Sequence, residues 1–223
     1  MNRIGVVFCV LLAFFLAAAR AQAAGKAAPP DAPRDARGLL ERIRRAYADQ
    51  PSITTSFTQS YAPAGFAETS PETGRMTLQA PAQIRFEYDG ADGKLFTFDG
   101  KAARQYVAAD KQLILKSLTP SERARLPLLF FDAPESVLER YDAAWKAGAN
   151  GFSELVLTPK VPEGGPKSLT ITAAASGDVK RLVVVDEGDN RTTFTFTQRT
   201  VGTRRPASDF ALVPPAGTKI VTD

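Results

Sequence analysis

Histidine is absent from this 223-residue chain, and cysteine occurs once. Without histidine there is no Ser-His-Asp triad, no Cys-His pair, no HExxH zinc site and no imidazole base. The lone Cys9 follows Val6-Val7-Phe8, where a lipidation site needs small residues, so it reads as a small hydrophobe in an apolar leader. Gly-x-Ser-x-Gly, Walker and Gly-x-Gly-x-x-Gly runs are missing, and so is any calcium-loop pattern. A one-signed charge surface is missing too. The 28 Lys and Arg are interspersed with 24 Asp and Glu, which excludes the clustered basic face of a nucleic-acid binder. The densest basic stretch, Arg42-Ile43-Arg44-Arg45, reads as the solvated side of a helix. Several carboxylates stand in turns (Asp89, Asp92, Asp99, Asp110, Asp178, Asp189), where their ordinary role is turn formation. The expectation is a protein with no catalytic residues, no metal and no cofactor: a binder, not an enzyme.

The first segment is an address. Met1-Asn2-Arg3 is a short positive region, Ile4 to Ala19 is apolar, and Arg20 leads into the small-residue stretch Ala21-Gln22-Ala23. The run is shorter than the ~20 apolar residues of a membrane span. It reads as a secretory signal peptide over residues 1–23. The Ala/Pro-rich residues 24–34 read as a flexible leader, and residues 35–223 as one domain. Two of the basic residues, Arg3 and Arg20, leave with the signal, so the mature chain is near neutral. It has no cysteine for a disulfide, although secretion takes it to a compartment that permits one. Its own apolar core must therefore hold it.

What is present is periodicity. Leu39, Leu40, Ile43, Ala46 and Tyr47 form one helical stripe, with Asp35 as N-cap and Pro51 as terminator. After Pro51 the period changes to two. Short strands are expected around Ile53–Tyr61, Met76–Leu78, Ile84–Tyr88, Leu95–Phe98, Gln105–Val107 and Gln112–Leu115, with Asp99-Gly100 as a hairpin turn. Two short helices interrupt, one starting at Thr119-Pro120-Ser121-Glu122 and one at Asp132-Ala133-Pro134-Glu135, flanking the apolar Leu126–Phe131. Strands resume at Tyr141–Lys146, Phe152–Thr158, Ser168–Ala173, Val179–Asp186 and Thr192–Arg199. The total is about eleven strands, mainly antiparallel, in a sheet that curls or closes. Three short helices are scant cover for so wide a sheet, so an apolar cavity between sheet and helical lid is expected.

Phenylalanine occurs 14 times, often at alternating strand positions. Each such ring can simply be core. Together, Phe57, Ile84, Phe86, Phe96 and Phe98 on the strands and Leu128, Leu129 and Phe130 on the lid are the candidate lining of that cavity. Acyl chains suit such a lining, because dispersion and burial make no directional demands.

Several segments resemble the periplasmic outer-membrane lipoprotein carrier family, LolA. They are Ser56-Phe57-Thr58-Gln59; Gly74-Arg75-Met76-Thr77-Leu78 with Pro81; Arg85-Phe86-Glu87-Tyr88; Asp99-Gly100-Lys101; Gln105-Tyr106; Leu155–Pro159; Asn190–Phe194; and Phe210 with Pro214-Pro215-Ala216-Gly217. The resemblance covers about residues 35–221. It implies a half-open antiparallel β-barrel with a lid of short α-helices over an apolar cavity. It further implies a monomeric periplasmic carrier that takes acylated lipoproteins from an inner-membrane ABC-type release transporter to an outer-membrane receptor lipoprotein, with no covalent chemistry. Two alternatives stay open: a paralogue carrying another amphiphile, such as a glycolipid or polyene lipid, for a different exporter, and a lipid-sensing regulatory module. Many members have Arg directly before the Pro that matches Pro81, as a tie between sheet and lid. Here that position is Ala80, so Arg75, Arg85 and Arg104 are the remaining candidates for a sheet–lid contact, or the lid is held by apolar packing.

Overall fold

A computed structural model describes residues 33–90, 93–119, 129–161 and 166–222. The expected signal peptide, the helix expected after Thr119 and Leu128 lie outside the described residues. Helix α1 spans Ala36–Ala48. Asp35 has extended backbone and its carboxylate accepts the Gly38 N–H at 2.7 Å, satisfying one of the free donors of the first turn. Leu39, Leu40, Ile43 and Tyr47 form its buried stripe.

Six strands follow: β1 (Ser52–Ala62), β2 (Glu72–Gln79), β3 (Gln83–Tyr88), β4 (Lys94–Phe98), β5 (Ala102–Val107) and β6 (Gln112–Ser117). Helix α2 (Pro134–Arg140) interrupts. The chain then makes β7 (Tyr141–Ala147), β8 (Phe152–Pro159), β9 (Ser168–Ala174), β10 (Val179–Val185) and β11 (Arg191–Gly202). A one-turn helix α3 (Ser208–Ala211) and β12 (Lys219–Thr222) end it. The strand order is β12-β6-β5-β4-β3-β2-β1-β11-β10-β9-β8-β7. Two meanders are thus joined at the central antiparallel pair of β1 and β11.

Twelve strands form this sheet, not eleven. The addition, β12, pairs parallel to β6, with Ile220 opposite Leu113. Four residues after a Pro-rich turn leave too short an alternation to read as a strand. The sheet stays open, with β7 and β12 as its edges. Among the described residues, no helix is long and apolar enough to cross a membrane.

Register places the apolar side chains on one face. Ile53, Leu78, Ile84 and Phe98 lie opposite one another across β1 to β4, and Met76, Phe86 and Phe96 form the next row. In the second meander Leu182, Ile171, Leu155 and Trp145 do the same. This inner face, α1 and α2 share one core, in which Leu39, Ile43, Val137, Leu155 and Leu157 lose all exposure to water. Burying each such side chain contributes about 1.5–3 kcal/mol.

The outer face of β2 to β4 carries the C-terminal segment. Phe210 of α3 is fully buried. The Gln79 side chain accepts the Arg205 N–H (2.7 Å) and donates to the Arg205 carbonyl (3.1 Å).

Candidate functional site

An apolar cavity of about 280 Å³ lies between α1 and the inner face of β9 and β10. Leu169, Ile171, Val179, Leu182 and Val184 form its sheet wall, and Ile43 is the contribution of α1. Leu129 and Phe130, just before α2, close another side, and Pro166 and Asp186 stand at the loop end of β9 and β10. Asp186 does not aim a free charge into this space. It accepts from the backbone N–H groups of Gly188 (2.9 Å) and Asn190 (3.0 Å) and from the Asn190 side chain, which hold its carboxyl below the usual range. What remains is a surface that binds by burial and dispersion.

Phe130 connects this cavity to a row of rings. Its centroid is 4.7 Å from that of Tyr47 and 6.4 Å from that of Phe196. The row continues along the inner face. Phe196 stacks on Phe194 at 6.1 Å, Phe194 meets Phe86 at 5.8 Å, and Phe86 meets Phe57 at 5.4 Å and Phe96 at 6.1 Å. Most of these contacts are edge-to-face or tilted, the geometry that ring quadrupoles favour. Gly74, opposite Phe57, makes the fit possible: a Cβ there would stand 2.8 Å from the Phe57 ring and 2.2 Å from the Glu87 carbonyl oxygen.

A guanidinium holds α1 over the sheet. Between Thr54 and Ser56 the β1–β11 register slips, and Gln198 adopts the left-handed region with φ of 50°. This bulge shifts the phase of β11. Without it, alternation from Phe194 and Phe196 would send Arg199 to the outer face. With it, Arg199 Nη2 donates to the Ala46 carbonyl of α1 at 2.5 Å, and the guanidinium lies 5.2 Å from the Tyr47 ring centre. Asp178 is 3.8 Å from Arg199 Nε and accepts from the Tyr47 hydroxyl, which also accepts the Val179 N–H at 3.1 Å. Burial and the nearby Asp178 charge push the Tyr47 hydroxyl up, so it stays a neutral donor. The β9–β10 turn packs against the same helix: Arg42 donates to the Ala175 carbonyl at 3.1 Å, and a Cβ at Gly177 would come within 2.2 Å of the Arg42 carbonyl oxygen.

The residues expected from sequence divide into three groups. Leu129 and Phe130 line the cavity. Phe57, Ile84, Phe86, Phe96 and Phe98 share the inner face of β1, β3 and β4. Phe57 and Phe98 are buried there, and Ile84 and Phe86 pack on the core beside it. The arginine candidates serve the other face. Arg75, exposed, is registered between Ser56 and Glu87. Arg85 donates to the Asp209 carbonyl of α3 at 2.7 Å, and Arg104 to Asp99 at 2.7 Å. The Ala80 carbonyl accepts from Arg204 at 3.3 Å. The guanidinium that reaches from the sheet to α1 is Arg199, which alternation alone assigns to the wrong face. Leu169, Ile171, Leu182 and Val184 were legible as strand residues, but nothing local distinguishes them from ordinary core.

Comparison with known proteins agrees with this architecture. The profile of the family described as outer membrane lipoprotein carrier protein LolA matches residues 49–213. An outer-membrane lipoprotein carrier protein of Xanthomonas oryzae pv. oryzae is 27% identical over 152 residues, covering 68% of this chain and 72% of that protein. One from Chromobacterium violaceum is 26% identical over 214 residues, covering 94% and 97%. The crystal structure of an uncharacterized conserved protein from Thermus thermophilus superposes with a TM-score of 0.52 at 11% identity, over 83% of this chain and 97% of that one, a likeness of fold alone.

Proposed function

The chain belongs to the LolA family of outer-membrane lipoprotein carrier proteins, and from that membership we propose that it is a periplasmic carrier of acylated lipoproteins. In this reading residues 35–223 are the carrier domain, released when residues 1–23 are removed. It works as a monomer, receives cargo from an inner-membrane ABC-type transporter and yields it to an outer-membrane receptor lipoprotein. No covalent step is involved.

The observation that carries this reading is the apolar cavity with Phe130 at its side. Each buried methylene of an acyl chain contributes about 0.8 kcal/mol, so even part of one chain gives useful affinity. At about 280 Å³ the cavity falls just below the usual size of ligand pockets, which run about 300–1,000 Å³. It accepts one chain end as it stands. Displacing Leu129 and Phe130 joins it to the ring row and makes room for more. Phe57, Ile84, Phe86, Phe96 and Phe98 are then the floor along which further chains lie. Cargo that binds the opened form better than the closed one shifts the balance towards it, and a receptor that binds the cargo more tightly reverses the shift.

Native mass spectrometry of the protein isolated from a periplasmic fraction tests this. The expected result is a bound acylated peptide or lipoprotein. A preparation that carries no acylated species, and takes none up from detergent-solubilised lipoprotein, would overturn the proposal.

A further inference from the structure

The ring row ends in a polar cluster. At the end of the inner face away from Phe130, Gln59 is registered opposite Glu72, and Tyr88 opposite Gly74 beside Phe57. The Tyr88 hydroxyl donates to Gln59 Oε1 at 2.5 Å, and its ring is 5.0 Å from that of Phe57. Lys94, two residues before Phe96 on β4, pairs with Glu72 and holds its ammonium 4.8 Å from the centre of the Tyr88 ring. All four side chains are half-buried.

We propose that Gln59, Glu72, Tyr88 and Lys94 form a subsite for a neutral, carbonyl-bearing end group, an ester or amide, on an acylated ligand whose chain lies along the rings. The inference rests on the carrier reading and adds to it where the polar part of the cargo sits.

Charge and hydrogen-bond inventory both point this way. Glu72 neutralises Lys94. Tyr88 stays un-ionised, its hydroxyl pushed up to about 12 by burial and by the Glu72 charge. The cluster as a whole is therefore neutral. An anionic end group at Lys94 would face the Glu72 carboxylate at close range, in a cluster that carries no net positive charge. A carbonyl oxygen makes no such demand. Because Gln59 Oε1 is occupied by the Tyr88 hydroxyl, both hydrogens of its Nε2 are left without a partner among the described residues. Lys94 has three N–H donors, of which Glu72 Oε1 takes one. Gln59 and Lys94, both in contact with Tyr88, thus keep donors for a carbonyl oxygen, and the second Glu72 oxygen can accept an amide N–H.

The test uses two probes of equal chain length, N-palmitoylethanolamide and palmitate, each displacing a fluorescent apolar dye from the purified protein. Wild type should bind the amide at least tenfold more tightly than the anion. Glu72→Gln leaves Lys94 unpaired and should tighten palmitate about tenfold while changing the amide less than threefold. Gln59→Leu should weaken the amide about fivefold and leave palmitate unchanged. Thermal melting of both variants checks that they fold. If the two probes bind wild type alike, or respond alike in the variants, the subsite is overturned and the carrier reading stands. If neither probe displaces the dye from wild type, the carrier reading falls and takes the subsite with it.

Discussion

A cation beneath the last turn of a helix meets the carbonyls left free there and the negative end of the helix dipole. Arg199 meets both through Ala46, and adds an aromatic face in Tyr47. Replacing it by Met keeps the aliphatic stem and removes the charge and the donors. Arg199→Met is expected to cost about 1.5–3 kcal/mol in urea unfolding, the range for hydrogen bonds to charged groups. Amide exchange should quicken in the C-terminal half of α1. An unchanged midpoint would show that apolar packing alone seats the helix. Asp99 has a comparable local role in the β4–β5 hairpin. Burial works to raise its carboxyl, but the N–H groups of Ala102 and Lys101 and the Arg104 guanidinium outweigh this and hold it below the usual range. A depressed carboxylate contributes stability above the pH at which the unfolded chain ionises, about 4. It loses that contribution as pH falls through the lower folded value. Asp99→Ala should therefore cost about 1–2 kcal/mol at pH 7, and the gap to wild type should shrink in acid. A gap that is constant down to pH 2 would contradict the assignment.

Strands β9 and β10 give the cavity its wall, and Leu129 and Phe130 line it beside them. A larger side chain there enters cavity volume, not packed atoms, so the usual overpacking cost of about 1–3 kcal/mol does not arise. Val184→Phe is expected to leave the melting temperature unchanged or raised and to weaken binding of a palmitoyl probe at least tenfold. A destabilised protein with normal affinity would show that the space is not used. The alternation that exposes these strands in the sequence is strong: from Ile53 to Phe57 and from Ile84 to Phe98 it assigns each inner residue to the correct face. The cap at Asp35 is equally local and equally legible. Three features are not. The parallel partner of β12 is a matter of where the chain returns, which a four-residue segment cannot encode. The bulge at Gln198 reverses the phase of β11, so a strict period of two places Arg199 on the outer face. The location of the cavity depends on how closely α1 packs on each strand, a property of helix placement that no strand's own pattern contains.

The sheet has an apolar inner face covered by α1, α2 and Phe130, and an outer face partly covered by the C-terminal segment through Arg85, Gln79 and Phe210. This division makes the protein two-sided. The outer contacts are hydrogen bonds and a buried ring that fix the sheet's shape, while the inner ones around Phe130 are ring contacts, which in the proposed carrier reading exchange for an acyl chain. Closure by such contacts suits a chain that has Ala80 before Pro81, because the guanidinium that touches the covering helix comes from β11 instead. Photo-crosslinking with an acylated peptide that bears a diazirine at the end of its acyl chain asks where the cargo goes. The account predicts adducts on Phe130, Leu169, Ile171, Leu182 or Val184, lost in Val184→Phe. Adducts confined to the outer face, or unaffected by filling the cavity, would contradict it.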